Sequence, residues 1–245
     1  IDIGSHYMTS QVTKINQSII LYDDRLMNDI DENIFEIDFW KMDQQAHSQS
    51  KGRGTVYFVK IQDEPCVLRH YNRGGFVSRL VEDQYLWMGE RYTRSFKEWR
   101  LLNYMGAKQL PAPVPVAARY VRYGICYKAD IITREIPDIE SLSDKLLGNS
   151  MTEELWKKIG GCIAKFHDQG VFHMDLNAEN IQIDQNNQVF LLDFDKGKVS
   201  EPSRRLSDTN LMRLKRSIAK ITKANQLVFP NSGWDLCITQ HHGEA

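Results

Sequence analysis

His173-Met174-Asp175-Leu176-Asn177-Ala178-Glu179-Asn180, followed by Leu191-Leu192-Asp193-Phe194-Asp195, sets a loop carboxylate five residues before an amide and a second carboxylate thirteen residues further on. The apolar pairs around them read as short buried strands, so the polar groups fall in turns at strand ends. That set suits phosphoryl transfer from ATP. Asp175 is the candidate catalytic residue, accepting or orienting the proton of an attacking hydroxyl. Asn180 and Asp193 are candidate metal ligands, since Mg²⁺ prefers hard oxygen donors. An Asp-x4-Asn pair alone is weak, because both are ordinary loop residues. The conjunction with Ile181-Gln182-Ile183-Asp184 and a strand end at Asp193 is specific.

Working outward, the C-terminal half reads as mostly helical. A short helix is expected near 140–147 and a longer one over 152–168, with Leu155, Trp156, Ile159, Cys162, Ile163 and Phe166 on one face and Ser150 or Thr152 as its cap. Two short strands are expected near 181–183 and 188–192, and helices around 207–223 and 232–239. His167 reads as a packing or capping residue, His173 as a support for the Asp175 loop, and His241-His242 as a frayed tail.

The N-terminal half reads as β-rich. Val56 to Ile61 and Cys66 to Tyr71 form a hairpin about Gln62-Asp63-Glu64-Pro65, and two more strands lie at 116–123 and 126–134. Residues 19–40 mix apolar and acidic side chains without a clear period and read as irregular or as short elements. Residues 76–88 read as a short helix, and Phe96, Trp99, Leu101, Leu102 and Met105 as the stripe of a helix over 93–105. Glu135-Ile136-Pro137-Asp138 reads as a linker. The expected architecture is therefore α+β and bilobal: a β-rich lobe over about 19–135 with one main helix, a hinge at about 135–138, and a mostly helical lobe over about 139–240. Residues 1–7, with Gly4-Ser5-His6, read as an expression scar before Met8.

Composition is that of an ordinary soluble globular protein: 42% hydrophobic, 26% charged and a net charge of −1 over 245 residues. No signal peptide and no run of about 18 apolar residues is read. Cys66, Cys126, Cys162 and Cys237 are far apart, with no CxxC pair, which argues against zinc and for reduced thiols. Charge is unevenly spread. Residues 196–223 carry nine Lys/Arg against Glu201 and Asp208, and residues 69–100 carry seven against four acids. Such patches are ordinarily solvated faces; an anionic ligand or membrane surface is the sharper reading.

Gly52 and Gly54, before the first clear strand, read either as a plain turn or as one whose N–H groups cradle phosphates. Arg69 ends Cys66-Val67-Leu68-Arg69 where a nucleotide-phosphate cation is expected, with Glu98 on the following helix to hold it.

Arg69-His70-Tyr71-Asn72-Arg73-Gly74-Gly75, Arg94-Ser95-Phe96-Lys97-Glu98-Trp99, Leu110-Pro111-Ala112-Pro113-Val114-Pro115 and Asp175-Leu176-Asn177-Ala178 resemble the bacterial 3-deoxy-D-manno-octulosonic acid (Kdo) kinase family, relatives of the heptose kinases. The resemblance covers roughly residues 50–240. It implies a protein-kinase-like fold and ATP- and Mg²⁺-dependent phosphorylation of the 4-hydroxyl of Kdo on a lipid A precursor, at the cytoplasmic face of the inner membrane. It also implies Asp175 as catalytic residue, Asn180 and Asp193 as metal ligands, Arg69 with Glu98 as phosphate anchor, and the backbone of Glu135 and Ile136 as the adenine contact. Partners are the anionic glycolipid and the membrane surface, with no nucleic acid and no obligate protein partner.

Two features turn the reading from protein substrates. Only Lys196-Gly197-Lys198 follows the second carboxylate before the helical tail, with no long activation segment, and Met174 replaces the Arg of His-Arg-Asp. Both basic clusters suit a Kdo carboxylate or lipid A phosphates. Phe76 to Trp87 offers aromatics to a lipid interface, or ordinary packing. Three departures stand out: Asp195 in place of Gly, the polar Gln182 beneath the expected adenine site, and a glycine loop without its third Gly. Rival readings are a heptose or aminoglycoside kinase on the same fold, or a non-catalytic lipid-binding adaptor.

Overall fold

The computed structural model describes residues 10–27, 29–42, 47–51, 54–72 and 83–243. Chain contacts divide these into two compact units. One runs to Tyr104 and resumes over Pro113–Glu135; the other takes Met105–Ala112 and everything from Ile136. The protein is mixed α/β, with a β-rich N-terminal sheet and helices gathered towards the C-terminus.

Among the described residues the N-terminal unit holds an eight-stranded sheet. Its strands are β1 (Ser10–Ile15), β2 (Ser18–Asp23), β3 (His47–Lys51), β4 (Gly54–Ile61), β5 (Glu64–His70), β6 (Tyr85–Leu86), β7 (Pro115–Tyr123) and β8 (Cys126–Arg134). The order is β1-β2-β7-β8-β5-β4-β3, with β6 on β8, and each pairing is antiparallel. The expected hairpin and the 116–134 pair are in place. Residues 19–40 hold short elements, the second of the two expected forms: Ser18–Asp23 is a strand between β1 and β7, and a 3₁₀ turn at Glu32–Phe35 and helix α1 (Ile37–Met42) follow it. Ile20, Phe35 and Trp40 are buried in one cluster with Val59, Leu68 and Ile132, so tertiary packing orders a segment that lacks its own period. The expected helix over 76–88 lies partly outside the described residues, and Tyr85–Leu86, within its range, is a strand.

Helix α2 (Arg94–Ala107) follows the predicted stripe, with Phe96, Trp99 and Leu102 buried. A polar chain crosses the sheet. The His70 ring pairs with Asp130 at 2.6 Å, Arg119 Nε donates to Asp130 at 2.9 Å, and Arg119 also meets Glu36. A cavity of about 810 Å³ opens beside it, lined by Leu68, His70, Glu36 and Lys128. Strand alternation puts Arg69 on the other face of β5 from Leu68 and His70, so this cavity is not where Arg69 acts.

The C-terminal unit is built on α3 (Leu142–Leu147), α4 (Glu153–Asp168), α5 (Arg204–Ala224) and α6 (Asn231–His242). β9 (Glu140–Ser141) precedes α3, and β10 (Val171–Phe172), β11 (Ile181–Ile183), β12 (Val189–Leu191) and β13 (Lys198–Val199) lie between α4 and α5, in sheets β12-β11-β9 and β10-β13. Thr152 caps α4, its hydroxyl accepting the Leu155 N–H at 3.2 Å, and the expected apolar face of α4 is buried. Gly160 lets α6 come close: a Cβ there would stand 2.1 Å from the Cys237 carbonyl oxygen, so the glycine is a packing requirement.

His241 is not in a frayed tail. It lies in α6 and its Nε2 is 2.8 Å from Nδ1 of buried His167, which also stacks on Phe172 at 5.2 Å and faces Asn210. Burial first, and then the neighbouring His241, push the His167 pKa down from 6.5 to about 4. Burial likewise lowers His241. A lowered histidine favours folding where the unfolded imidazole is neutral. Its contribution is full above about pH 6.5 and is lost as pH falls towards about 4. His70, raised chiefly by Asp130, acts in the opposite sense, losing its contribution as pH rises through its folded value. We expect His167→Gln to shrink the fall in melting temperature between pH 7 and pH 5, read by circular dichroism; an unchanged fall would remove His167 as a source of acid lability.

Candidate active site

Asp175, Asn180 and Asp193 are gathered by backbone register. In the antiparallel β11–β12 hairpin Ile181 faces Leu191, so Asn180 and Asp193 leave the same end of the hairpin. The Leu192 N–H donates to the Asn180 carbonyl at 2.9 Å and closes that end. Asp193 itself has φ 62°, a left-handed backbone that Asp tolerates better than most residues and that still costs about 1–2 kcal/mol. Its side chain is exposed.

The loop between β10 and β11 is held by its own polar side chains. Asn177 Oδ1 accepts the N–H groups of Glu179 at 2.9 Å and Asn180 at 3.1 Å, while its Nδ2 donates to the Asp175 carbonyl at 3.0 Å. Asn180 Nδ2 donates to the same carbonyl at 3.2 Å, which turns the Asn180 side-chain oxygen away from the loop. The Ala178 N–H reaches Ser217 Oγ on α5 at 3.1 Å and ties the loop to that helix.

His173 links the two carboxylates through backbone. Its Nε2 is 2.7 Å from the Leu192 carbonyl, and its Nδ1 accepts the Asp175 N–H at 3.2 Å. One donor and one acceptor are what neutral imidazole offers, and burial lowers its pKa accordingly. Phe194 packs on His173 with centroids 4.7 Å apart and stacks on Phe166 at 5.5 Å. Asp195 follows, half-buried. Gln182 is buried on β11, and its amide nitrogen donates to the Glu179 carbonyl at 2.7 Å, so its polarity serves the loop.

Two residues that the sequence reading did not place by function stand on either side of the Asp175 carboxylate. Lys196 Nζ is 3.4 Å from Oδ2, and Arg213 Nη1 is 3.6 Å from Oδ1. Both had been visible only as members of a basic run.

In the N-terminal unit Arg69 lies on β5 between Val56 and Ile131. Its Nη2 is 2.5 Å from Glu98 Oε2 on α2, and the Tyr71 hydroxyl donates to the same oxygen at 2.5 Å. Arg69 also lies over the Tyr71 ring, 4.9 Å from its centroid. Burial, then the Glu98 charge, push the Tyr71 phenol well above its usual pKa, so it is a hydrogen-bond donor. Strand alternation over Arg69-His70-Tyr71 puts residues 69 and 71 on one face, the signal from which Tyr71 was readable. Gly54 opens β4 opposite Lys51, with β3 preceding it, so the first clear strand in the sequence is the fourth of the sheet. Gly52 lies outside the described residues. Glu135 ends the N-terminal unit and Ile136 starts the next; the Glu135 N–H is engaged by the Pro65 carbonyl at 2.9 Å.

A family model described as the lipopolysaccharide kinase (Kdo/WaaP) family matches residues 37–231. The chain belongs to this family. Members are kinases, phosphotransferases with a hydroxyl acceptor. Similar relatives are each named 3-deoxy-D-manno-octulosonic acid kinase. That of Xylella fastidiosa (strain M12) is 40% identical over 206 residues, 84% of this chain and 82% of the relative. That of Photobacterium damsela subsp. piscicida is 37% identical over 229 residues, covering 93% and 95%. That of Haemophilus influenzae (strain PittGG) is 38% identical over 241 residues, covering 94% and 99%. In this lipopolysaccharide kinase (Kdo/WaaP) family member no long segment follows Asp193 before the next helix. Residues 194–203 make one turn and then the short strand β13, paired with β10, before α5 begins.

Proposed function

We propose that this protein phosphorylates the 4-hydroxyl of Kdo on a lipid A precursor, with ATP as donor, in lipopolysaccharide core synthesis. The observation that carries the reading is the Asp175–Asn180 loop bonded to the strand end at Asp193, in a chain closely related to proteins named for that activity. Asp175 orients the acceptor hydroxyl in line with the γ-phosphate and takes up its proton. Arg69, held by Glu98 and Tyr71, binds nucleotide phosphate. Gly52 and Gly54 offer backbone N–H groups to the same anion. The adenine edge would meet the Glu135 carbonyl and the backbone from Ile136 onward, because the Glu135 N–H is already engaged.

Mg²⁺ fits the donor set: the Asn180 amide oxygen, directed away from the loop, and the Asp193 carboxylate are hard oxygens. When bound, the ion neutralises charge on the phosphate oxygens. Among the described residues no three His, Cys, Asp or Glu gather to hold a metal alone, and Mg²⁺ ordinarily shares its shell with water and substrate phosphates.

The two compact units are, on this reading, the lobes of a protein-kinase-like fold joined near 135–138. No helix among the described residues is long and apolar enough to cross a membrane. The acceptor is a membrane glycolipid, so the protein works peripherally, at the cytoplasmic face of the inner membrane. Mass spectrometry of Kdo–lipid A precursor incubated with the protein, ATP and Mg²⁺ tests the proposal. One added phosphoryl group on Kdo is expected. Turnover of heptosylated core without turnover of the Kdo acceptor would favour a heptose kinase and sink it.

A further inference from the structure

Asn177, two residues after Asp175, has both ends of its amide committed to the loop backbone and brings no charge. The positive charge comes instead from outside the loop. β13 returns to pair with β10 in the register Phe172–Lys198, so Lys196, two residues earlier, is carried back beside the Asp175 loop. The turn closed by the Gly197 N–H on the Phe194 carbonyl, at 2.7 Å, helps to hold it there. On α5, Ser217 anchors the loop through Ala178, and Arg213 is one helical turn before it on the same face.

These cations contribute little to the fold. Lys196 is 63% exposed, Arg213 42% and Asp175 51%, and exposed pairs of this kind contribute about 0–1 kcal/mol. They remain available to an incoming anion. If Asp175 receives the reacting hydroxyl, an anion on the same sugar ring comes within reach of Lys196 and Arg213, which stand 3.4 and 3.6 Å from the Asp175 carboxylate oxygens. Kdo is a sugar acid, with its carboxylate on C2, two ring carbons from the 4-hydroxyl. A neutral heptose has no such group.

We infer that Lys196 and Arg213 form the subsite for the acceptor's carboxylate and so set the preference for a sugar acid over a neutral sugar. The guanidinium can take the carboxylate through two N–H groups and the ammonium as a point charge. The inference rests on the Kdo reading above and extends it from the reaction to the basis of acceptor choice.

The test compares two acceptors, Kdo–lipid A precursor and the same glycolipid with its Kdo carboxylate converted to the carboxamide, using the full chain with ATP and Mg²⁺. Wild type should favour the acid. Arg213→Gln and Lys196→Gln should each raise KM for the acid about 10- to 100-fold, the usual loss for a charged hydrogen bond. The carboxamide should be affected far less than the acid and KM for ATP should stay close to wild type, so that the preference collapses, and Arg213→Lys should retain part of it. Thermal melts check that each variant folds. An unaltered preference in the double variant overturns the inference. So does a rise in KM for ATP, or an equal fall of kcat on both acceptors, which would assign the two cations to the transferred phosphoryl group. Equal use of acid and carboxamide by wild type defeats the inference while leaving the Kdo reading intact. No wild-type turnover of either acceptor defeats the Kdo reading, and the inference with it.

Discussion

Asp175→Ala is expected to lose about 10³- to 10⁴-fold in kcat for phosphoryl transfer, with little change in melting temperature or nucleotide affinity. The structure separates the residue's two roles. Its backbone carbonyl receives both Asn177 and Asn180, and its N–H is held by His173. All three bonds survive in alanine, so the loop and the direction of the Asn180 oxygen should persist. Only the carboxylate is lost, and its ion pairs are the exposed ones to Lys196 and Arg213, together contributing about 1 kcal/mol. Steady-state rates, a calorimetric nucleotide titration and a thermal melt check the three parts. Wild-type turnover by the variant would show that Asp175 is not the residue that meets the hydroxyl.

Glu98→Ala should act on both stability and nucleotide binding. Glu98 is buried at 3% exposure, and a single carboxylate oxygen receives Arg69 and the Tyr71 hydroxyl. Breaking a buried ion pair costs about 3–5 kcal/mol. The Arg69 side chain is 24% exposed, and solvent screening reduces the expected cost to about 2–4 kcal/mol. For a chain of this size that lowers the melting temperature by roughly 5–15 °C. Arg69 would also lose the partner that holds its guanidinium, and KM for ATP should rise about tenfold or more. Tyr71→Phe, which removes one hydroxyl, should cost about 1 kcal/mol and leave Arg69 on Glu98. If Glu98→Ala melted within about a degree of wild type and bound ATP equally well, the pair would be incidental to both.

The histidines show how far a sequence reading reaches. His173 was readable as loop support because it stands two residues before Asp175 in a known pattern. The Leu192 carbonyl it touches is close because β11 and β12 form a short hairpin. His241 was misread, since nothing local marks a chain end as buried. Its place follows from the packing of α6 on α4, where Gly160 admits the Cys237 backbone. The short elements within 19–40 could not be told apart for a related reason: the cluster around Trp40 orders them, and that cluster draws on residues up to Ile132.

What the sequence determined by itself was the chemistry and the elements that carry it. Short-range spacing places Asp175, Asn180 and Asp193 at strand ends, periodicity defines the hairpins and helices, and each of these signals is local. Tertiary structure alone decided which charges meet Asp175. Arg213 lies 38 positions from it, and no periodicity spans such a distance. Lys196 is brought back by the register of two two-residue strands. Long-range pairing depends on how whole elements pack, so the basic run that reads as a solvated face in the sequence becomes, at Lys196 and Arg213, a pair of cations on the candidate catalytic carboxylate.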